Sequence, residues 1–341
     1  MLIAGPNLTI DRTIGLDELR PGEVLRAKEA HASPGGKGVN VVRAAVALGA
    51  RAELVAFLPQ GRTGEAVGAW LADERVALHA VPVPGEVRSA AIMLEADGRT
   101  TVLNEPGPPV SEDAWRRYAD LVRVQLEGHR VLVCSGSTPP GSPDDAYARL
   151  VRIAAEHDAI AIVDAAGGTL EAALTAAPDV VTPNLAEAEE MLTGTGRLVV
   201  DATATIAERA AEAAQALVRP GARAALVTAG AAGLALAGEL GERWLEASRV
   251  TARNPIGAGD ALVAGLGSAL ESGEPDGEAI LIGMAAASAS VEQPLPGRLD
   301  ATRVGELRER LGRAHGASPE AGAAGRSSDS AGARFRDRPS G

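Results

Sequence analysis

The sequence predicts an α/β protein: a mostly parallel sheet flanked by helices, with a small β-sheet lid. Short apolar runs, Val131–Ser135, Ile160–Asp164, Asp179–Thr182 and Ala224–Thr228, each end in a polar or Gly/Pro turn. Strands buried on both faces read as continuous runs of this kind. Ala-rich helical stretches such as Asp144–His157 and Thr205–Val218 lie between them, the alternation expected of a parallel sheet wrapped by helices. Two segments, Thr13–His31 and Val83–Asn104, break the alternation. They read as extended or hairpin pieces, the second turning at Asp97-Gly98, and would form the separate small sheet.

The chain has 341 residues, 46% hydrophobic and 23% charged, the profile of a soluble globular protein. Only 2% is aromatic, so the core must be built from Val, Leu, Ile and Ala. One domain is expected over 1–313, with lid segments at about 13–31 and 83–104. From Ala314 the composition shifts to Gly, Ser, Ala, Pro and Arg without periodicity, so 314–341 reads as a disordered tail. No internal repeat is present.

The formal net charge of −12 argues against nucleic acid as a partner. It leaves room for an anionic small molecule held by local cations and helix N-termini. The single cysteine, Cys134, excludes an internal disulfide and a multi-cysteine zinc site, and fits a reducing cytoplasm. MLIAGPNLTI lacks the basic and apolar regions of a signal peptide. Ala279–Val291, the longest weakly polar stretch, is too short to span a bilayer. The expectation is a cytoplasmic protein with no membrane partner.

The strongest local signal is Asn254-Pro-Ile-Gly-Ala-Gly-Asp260, followed by an apolar helical run. Gly257 and Gly259 permit a tight turn whose N–H groups converge, and the helix that follows adds its positive dipole end. Negative charge on a transferring phosphoryl group would be stabilised there. Asp260 sits at the lip, where a carboxylate can accept a hydroxyl proton. Alone, the motif reads equally well as a Gly turn with an ordinary helix cap. A second element, Ser33-Pro-Gly-Gly-Lys-Gly-Val-Asn40, also leads into a helix. It is neither a Walker A loop nor a dinucleotide fingerprint. It presents a cation and an amide at a helix N-terminus, suited to a sugar phosphate and its hydroxyls.

Together these motifs resemble the two signatures of the ribokinase superfamily, phosphofructokinase-B branch. Four further stretches match in order: Asn7–Asp11, Asn104–Pro108, Gly136–Gly141 and Pro183–Glu187. The resemblance covers roughly residues 1–310. It implies an ATP- and Mg2+-dependent sugar kinase with Asp260 as base and Gly257, Ala258 and Gly259 as anion hole. It further implies that Asp11, Gly36, Lys37, Asn40, Arg88 and Ser137 hold the sugar substrate. Asn184, Thr228, Gly230, Gly233 and Gly259 would hold ATP, and Glu187 the metal through water. Lys37, Arg88 and Ser137 resemble the phosphate-holding positions of the 1-phosphofructokinase and tagatose-6-phosphate kinase members. Guanidinium, ammonium and hydroxyl on one anion is sound chemistry for a phosphate already on the sugar. Arg88 by itself also reads as an exposed strand residue.

The family often has Lys where this chain has Thr182, and the Ser-Leu-Gly nucleotide loop becomes Thr228-Ala-Gly230. Asp164-Ala-Ala-Gly167 loses both hydroxyls of the family's segment and is assigned no contact. The five histidines show no metal-ligand spacing. Cys134, Trp70 and Trp115 read as packing residues. The expected reaction is phosphorylation of fructose 1-phosphate to fructose 1,6-bisphosphate. Tagatose 6-phosphate, fructose 6-phosphate and a non-catalytic sugar-phosphate sensor stay open. The resemblance also implies a homodimer joined through the lids.

Overall fold

The protein is described by a computed structural model over residues 1–196, 198 and 203–315. The chain opens with β1 (Leu2–Asn7), β2 (Thr9–Leu16), β3 (Glu29–Gly35), α1 (Lys37–Ala47), β4 (Glu53–Pro59), α2 (Arg62–Asp73) and β5 (Ala77–Val83). It continues through β6 (Arg88–Glu95), β7 (Thr100–Asn104), α3 (Glu112–Gln125), β8 (Val131–Ser135), α4 (Ala146–Glu156), β9 (Ile160–Asp164) and α5 (Gly167–Leu174). Then come β10 (Val180–Val181), α6 (Leu185–Gly194), α7 (Ile206–Val218), β11 (Ala224–Thr228), β12 (Gly233–Gly238) and β13 (Arg243–Glu246). Helices α8 (Ala258–Ser272), α9 (Asp276–Ser290) and α10 (Ala301–His315) close the described chain. Of the expected disordered tail, all beyond His315 lies outside the described residues.

The large sheet has nine strands in the order β13-β12-β11-β10-β9-β8-β1-β4-β5. Every pairing from β5 across to β11 is parallel, and β12 and β13 add an antiparallel edge. Alternation along each strand decides the two cores. Ile3, Val131, Val133, Ile160 and Ile162 point to the face covered by α1, α8, α9 and α10. Leu2, Ala4, Leu132, Cys134, Ala161 and Val163 point to the opposite face, under α3, α4 and α7. Both faces are therefore apolar, which is why these strands read as unbroken runs. Three of the few aromatics meet at one place: Phe57 lies against Trp115 and Tyr118 at centroid distances of 5.4 and 4.7 Å. Trp70, expected in the packing, is 36% exposed on α2 instead.

The small sheet is four-stranded, in the order β3-β2-β6-β7. Its first strand starts at Thr9 rather than Thr13, because the run from β1 continues past Leu8 and changes sheets. Val83 ends β5 on the edge of the large sheet, so the second lid segment starts at Arg88. The hairpin turn lies at Asp97-Gly98, where Gly98 has φ 90°. Asp179–Thr182 contributes only Val180–Val181 to the sheet. The stretch from Ala279 lies in α9, packed between α8 and α10. Among the described residues, no helix is long and apolar enough to cross a membrane.

Candidate active site

The strand order reverses beside β1: the chain moves out to β4 and β5, then returns to β8 on the other side. A parallel sheet opens a crevice at the carboxyl ends of its strands at such a point. A cleft of about 1020 Å³ lies there, roofed by the small sheet through Ala90, Ile92 and Val102.

One wall is the turn before α8. Asn254 Oδ1 accepts the N–H of Ile256 at 2.9 Å, and its Nδ2 donates to the Pro294 carbonyl at 3.0 Å. These bonds hold the turn so that Gly257 caps α8 with φ 84°, a left-handed conformation that glycine adopts at little cost. The first N–H groups of α8 have no intrahelical acceptors and add to the positive dipole end. Asp260 lies in this first turn, 5% exposed. Its Oδ2 accepts a hydrogen bond from Asn40 Nδ2 at 2.8 Å. Burial pushes its carboxyl up to about 7, against the opposing pull of Lys37. A carboxyl titrating there is suited to take up a proton near neutral pH.

Lys37, the first residue of α1, turns its ammonium to Asp164 Oδ1 at 3.3 Å and Glu187 Oε1 at 3.8 Å. Burial would lower its pKa, but Asp164, Glu187 and Asp260 outweigh burial and keep it raised. Asp164 thus stands in the cleft, also accepting from Ser135 Oγ at 3.3 Å. The segment Asp164-Ala-Ala-Gly167 was assigned no contact from sequence, and its carboxylate lies among the cleft-lining groups. That carboxylate ends β9 at the mouth of the crevice.

Arg88 and Ser137 meet across Asn7. Arg88 Nε donates to Asn7 Oδ1 at 3.1 Å, and Asn7 Nδ2 donates to Ser137 Oγ at 3.0 Å. Lys37 is not part of this network; its ammonium faces Asp164 and Glu187. Asp11 rests against Gly35, where a Cβ would stand 2.1 Å from its carboxylate and displace it. Burial pushes the Asp11 carboxyl up to about 6, opposed by Arg88 and Arg43.

At the other end, Asn184 and Glu187 form a reciprocal capping box on α6, with bonds of 2.9 and 3.0 Å. Thr228 pairs with Asn184 as a single bridge. The Thr182 hydroxyl is buried beside them without a hydrogen-bond partner among the described residues. Gly36, Lys37, Asn40, Asn184, Glu187, Thr228, Gly230 and Gly257–Asp260 all line the cleft, as do Asp11, Arg88 and Ser137. Gly233 does not. Its φ is 140° and a Cβ would fall 2.1 Å from the Leu245 carbonyl, so its glycine serves the close β12–β13 pairing. Asn7, which bridges Arg88 to Ser137, carried no assignment from sequence. Its signal was its place at the carboxyl end of the central strand.

The sequence model for "pfkB family carbohydrate kinase" matches residues 7–301. A 1-phosphofructokinase of Xanthomonas campestris pv. campestris is 33% identical over 269 residues, 77% of this chain and 82% of that protein. Phosphofructokinase-2 of Escherichia coli, solved as a tetrameric inhibited form and with fructose-6-phosphate, superposes with TM-score 0.79 at 26% identity. The match covers 92% of this chain and 99% of that one. A possible 1-phosphofructokinase of Thermotoga maritima shares the fold at TM-score 0.78 and 23% identity, over 90% of this chain and 97% of that one. The chain belongs to the pfkB family of carbohydrate kinases and is an ATP-dependent sugar kinase.

Proposed function

We propose that this kinase transfers the γ-phosphoryl group of ATP to the 6-hydroxyl of fructose 1-phosphate, giving fructose 1,6-bisphosphate. The observation that carries this reading is the cleft's two-ended chemistry. Arg88, braced by Asn7 and Ser137, offers a donor cluster under the lid, and Asp260 with the Gly257 turn forms a separate anion hole and base. A substrate with a phosphate at one end and a primary alcohol at the other suits both. The 33% identity to a 1-phosphofructokinase supports the choice of sugar.

Asp260 accepts the proton of the attacking hydroxyl, and Asn40 holds its Oδ2 in place. Asp11 orients sugar hydroxyls, with Gly36 supplying backbone at the same corner. Asn184, Thr228, Gly230 and Gly259 receive the nucleotide. Lys37 faces Asp164 and Glu187 and can turn to a phosphate of either substrate. Transfer then rests on positioning and charge stabilisation more than on covalent chemistry. Among the described residues, no cluster of three His, Cys, Asp or Glu forms a metal site. Magnesium, however, is commonly held by one or two carboxylates plus substrate phosphates. Glu187 and Asp164 fit that requirement, and the ion would supply charge neutralisation of the nucleotide.

Fructose 6-phosphate, attacked through its 1-hydroxyl, is the second reading, favoured by the likeness to phosphofructokinase-2. Coupled ADP release over fructose 1-phosphate, fructose 6-phosphate, tagatose 6-phosphate and free fructose decides between them. The highest kcat/KM is expected on fructose 1-phosphate. Better use of free fructose would end the sugar-phosphate reading, and no turnover on any sugar would favour a sensor.

The enzyme is further proposed to be a cytoplasmic homodimer joined through the lids, a setting that supplies ATP. Leu103, 63% exposed on β7 on the face opposite the cleft-lining Val102, offers apolar surface for a second lid. A small sheet with such a face is marginal alone. Sedimentation at micromolar concentration should give the dimer mass, and a fully active monomer would end this part of the reading.

A further inference from the structure

Helix α2 runs beside both roots of the lid and meets each through a polar clasp. At its C-terminal end Glu74 takes both prongs of the Arg43 guanidinium, Nε–Oε2 at 2.5 Å and Nη2–Oε1 at 2.9 Å. Arg43 Nη1 donates to the Pro34 carbonyl at 2.7 Å. Pro34 lies in β3 beside Gly35, the residue against which the Asp11 carboxylate rests. At the N-terminal end, Glu86 accepts the N–H groups of Arg62 and Thr63 at 3.2 and 2.8 Å, and the Thr63 hydroxyl. Thr63 Oγ1 in turn accepts the N–H of Val87 at 2.7 Å, one residue before Arg88. Backbone bonds from Gln60 to Val83 and from Gly61 to Gly85 brace the same connection.

One clasp thus ends on β3, the strand paired with Asp11's β2, and the other on the residues that lead into β6, just before Arg88. The Arg43 side chain is only 5% exposed. A buried guanidinium–carboxylate pair adds little stability over an apolar pair of equal volume. What its planar fork supplies is a fixed geometry. Arg298 Nη2 also reaches Glu74, at 3.1 Å. The neighbouring Gly297 lies close enough to Asn40 that a Cβ would stand 2.9 Å from its Cα. The C-terminal clasp therefore reaches the lid root directly and, through Arg298, the segment that packs beside Asn40.

We propose that α2 is the fixed post of the lid, and that Arg43–Glu74 and Thr63–Glu86 are positioning pairs that set where Asp11 and Arg88 stand over the sugar. The inference rests on the sugar-phosphate reading, so it is tested with whichever sugar the wild type uses best. Glu86 is exposed, and Glu86→Ala should leave the core intact. It is expected to raise KM for the sugar about tenfold, as a small misplacement of a binding group does, with KM for ATP changed less than about twofold. Glu86→Gln keeps an acceptor oxygen and should recover most of the loss. Glu74→Gln should shift KM in the same direction from the other end of the helix. A wild-type KM for the sugar in Glu86→Ala, or equal rises for sugar and ATP, would overturn the proposal whatever happens to Tm. A wild type that uses only an unphosphorylated sugar would remove the sugar-phosphate reading, and the same variants would then be judged on that sugar's KM.

Discussion

The two ends of the large sheet both bury carboxylates and treat them in opposite ways. At the carboxyl end, Asp260 and Asp11 are pushed up, to about 7 and about 6, because burial outweighs the charges facing them. At the amino end, burial also acts on Glu53 and Glu271, but their partners win. His79 and Arg51 hydrogen-bond Glu53 and hold it down at about 2. His129, the α-amine of Met1 and the N–H of Arg130 do the same for Glu271. On the proposed reading the difference separates function from support: the raised carboxyls are those proposed to take a proton or meet the sugar, and the lowered ones fasten the fold.

The sharpest way to break this contrast is to remove the charge at the working end. Asp260→Asn should cut turnover by about two to four orders of magnitude. The same variant should melt at or above the wild-type temperature, because it removes a carboxylate that burial destabilises. Near-normal kcat in the purified variant would mean that another group takes the proton.

At the opposite end the balance should reverse. His129→Ala leaves Glu271 without its 3.0 Å partner and should cost about 2–3 kcal/mol in urea unfolding, the scale for a hydrogen bond to a charged group. Its kcat should stay at the wild-type value while the protein is folded. A stable variant with poor kcat would erase the distinction between the two ends.

Arg88→Ala tests whether cleft charges serve the ligand rather than the fold. It should weaken sugar-phosphate binding by about 1.5–3 kcal/mol with little change in ATP binding or Tm.

The smallest effect is the response to pH. In the free enzyme kcat/KM should fall as pH drops below about 7, and more steeply below about 6 as Asp11 also protonates. Stability has the opposite slope over that range. Asp260 and Asp11 titrate above their ordinary 3.8, so the folded state binds more protons and gains stability as pH falls toward 3.8. Glu53 and Glu271 titrate below their ordinary 4.5, so their contribution is full above 4.5 and lost as pH falls toward 2. From these groups, Tm of the ligand-free protein should peak near about pH 4.5. Asp260→Asn should flatten the decline on the alkaline side. A wild-type Tm that climbs from pH 4.5 to 7 would contradict the raised carboxyls.

Much of this was written in the sequence by itself. Val131–Ser135, Ile160–Asp164 and Ala224–Thr228 are strands with those bounds, because burial on both faces demands an unbroken apolar run and a turn residue ends it. The Gly257–Asp260 turn and the Lys37 loop were equally legible, since backbone conformation and helix entry are local matters. Tertiary structure alone decided the partners. Asp164 stands 127 residues from Lys37, Asn7 stands 130 from Ser137, and His129 stands 142 from Glu271. No spacing rule spans such distances, because the order in which strands join the sheet sets which of their ends meet. Gly233, which the resemblance placed at the nucleotide, has a position only the fold reveals: it sits where β12 closes on the edge strand β13.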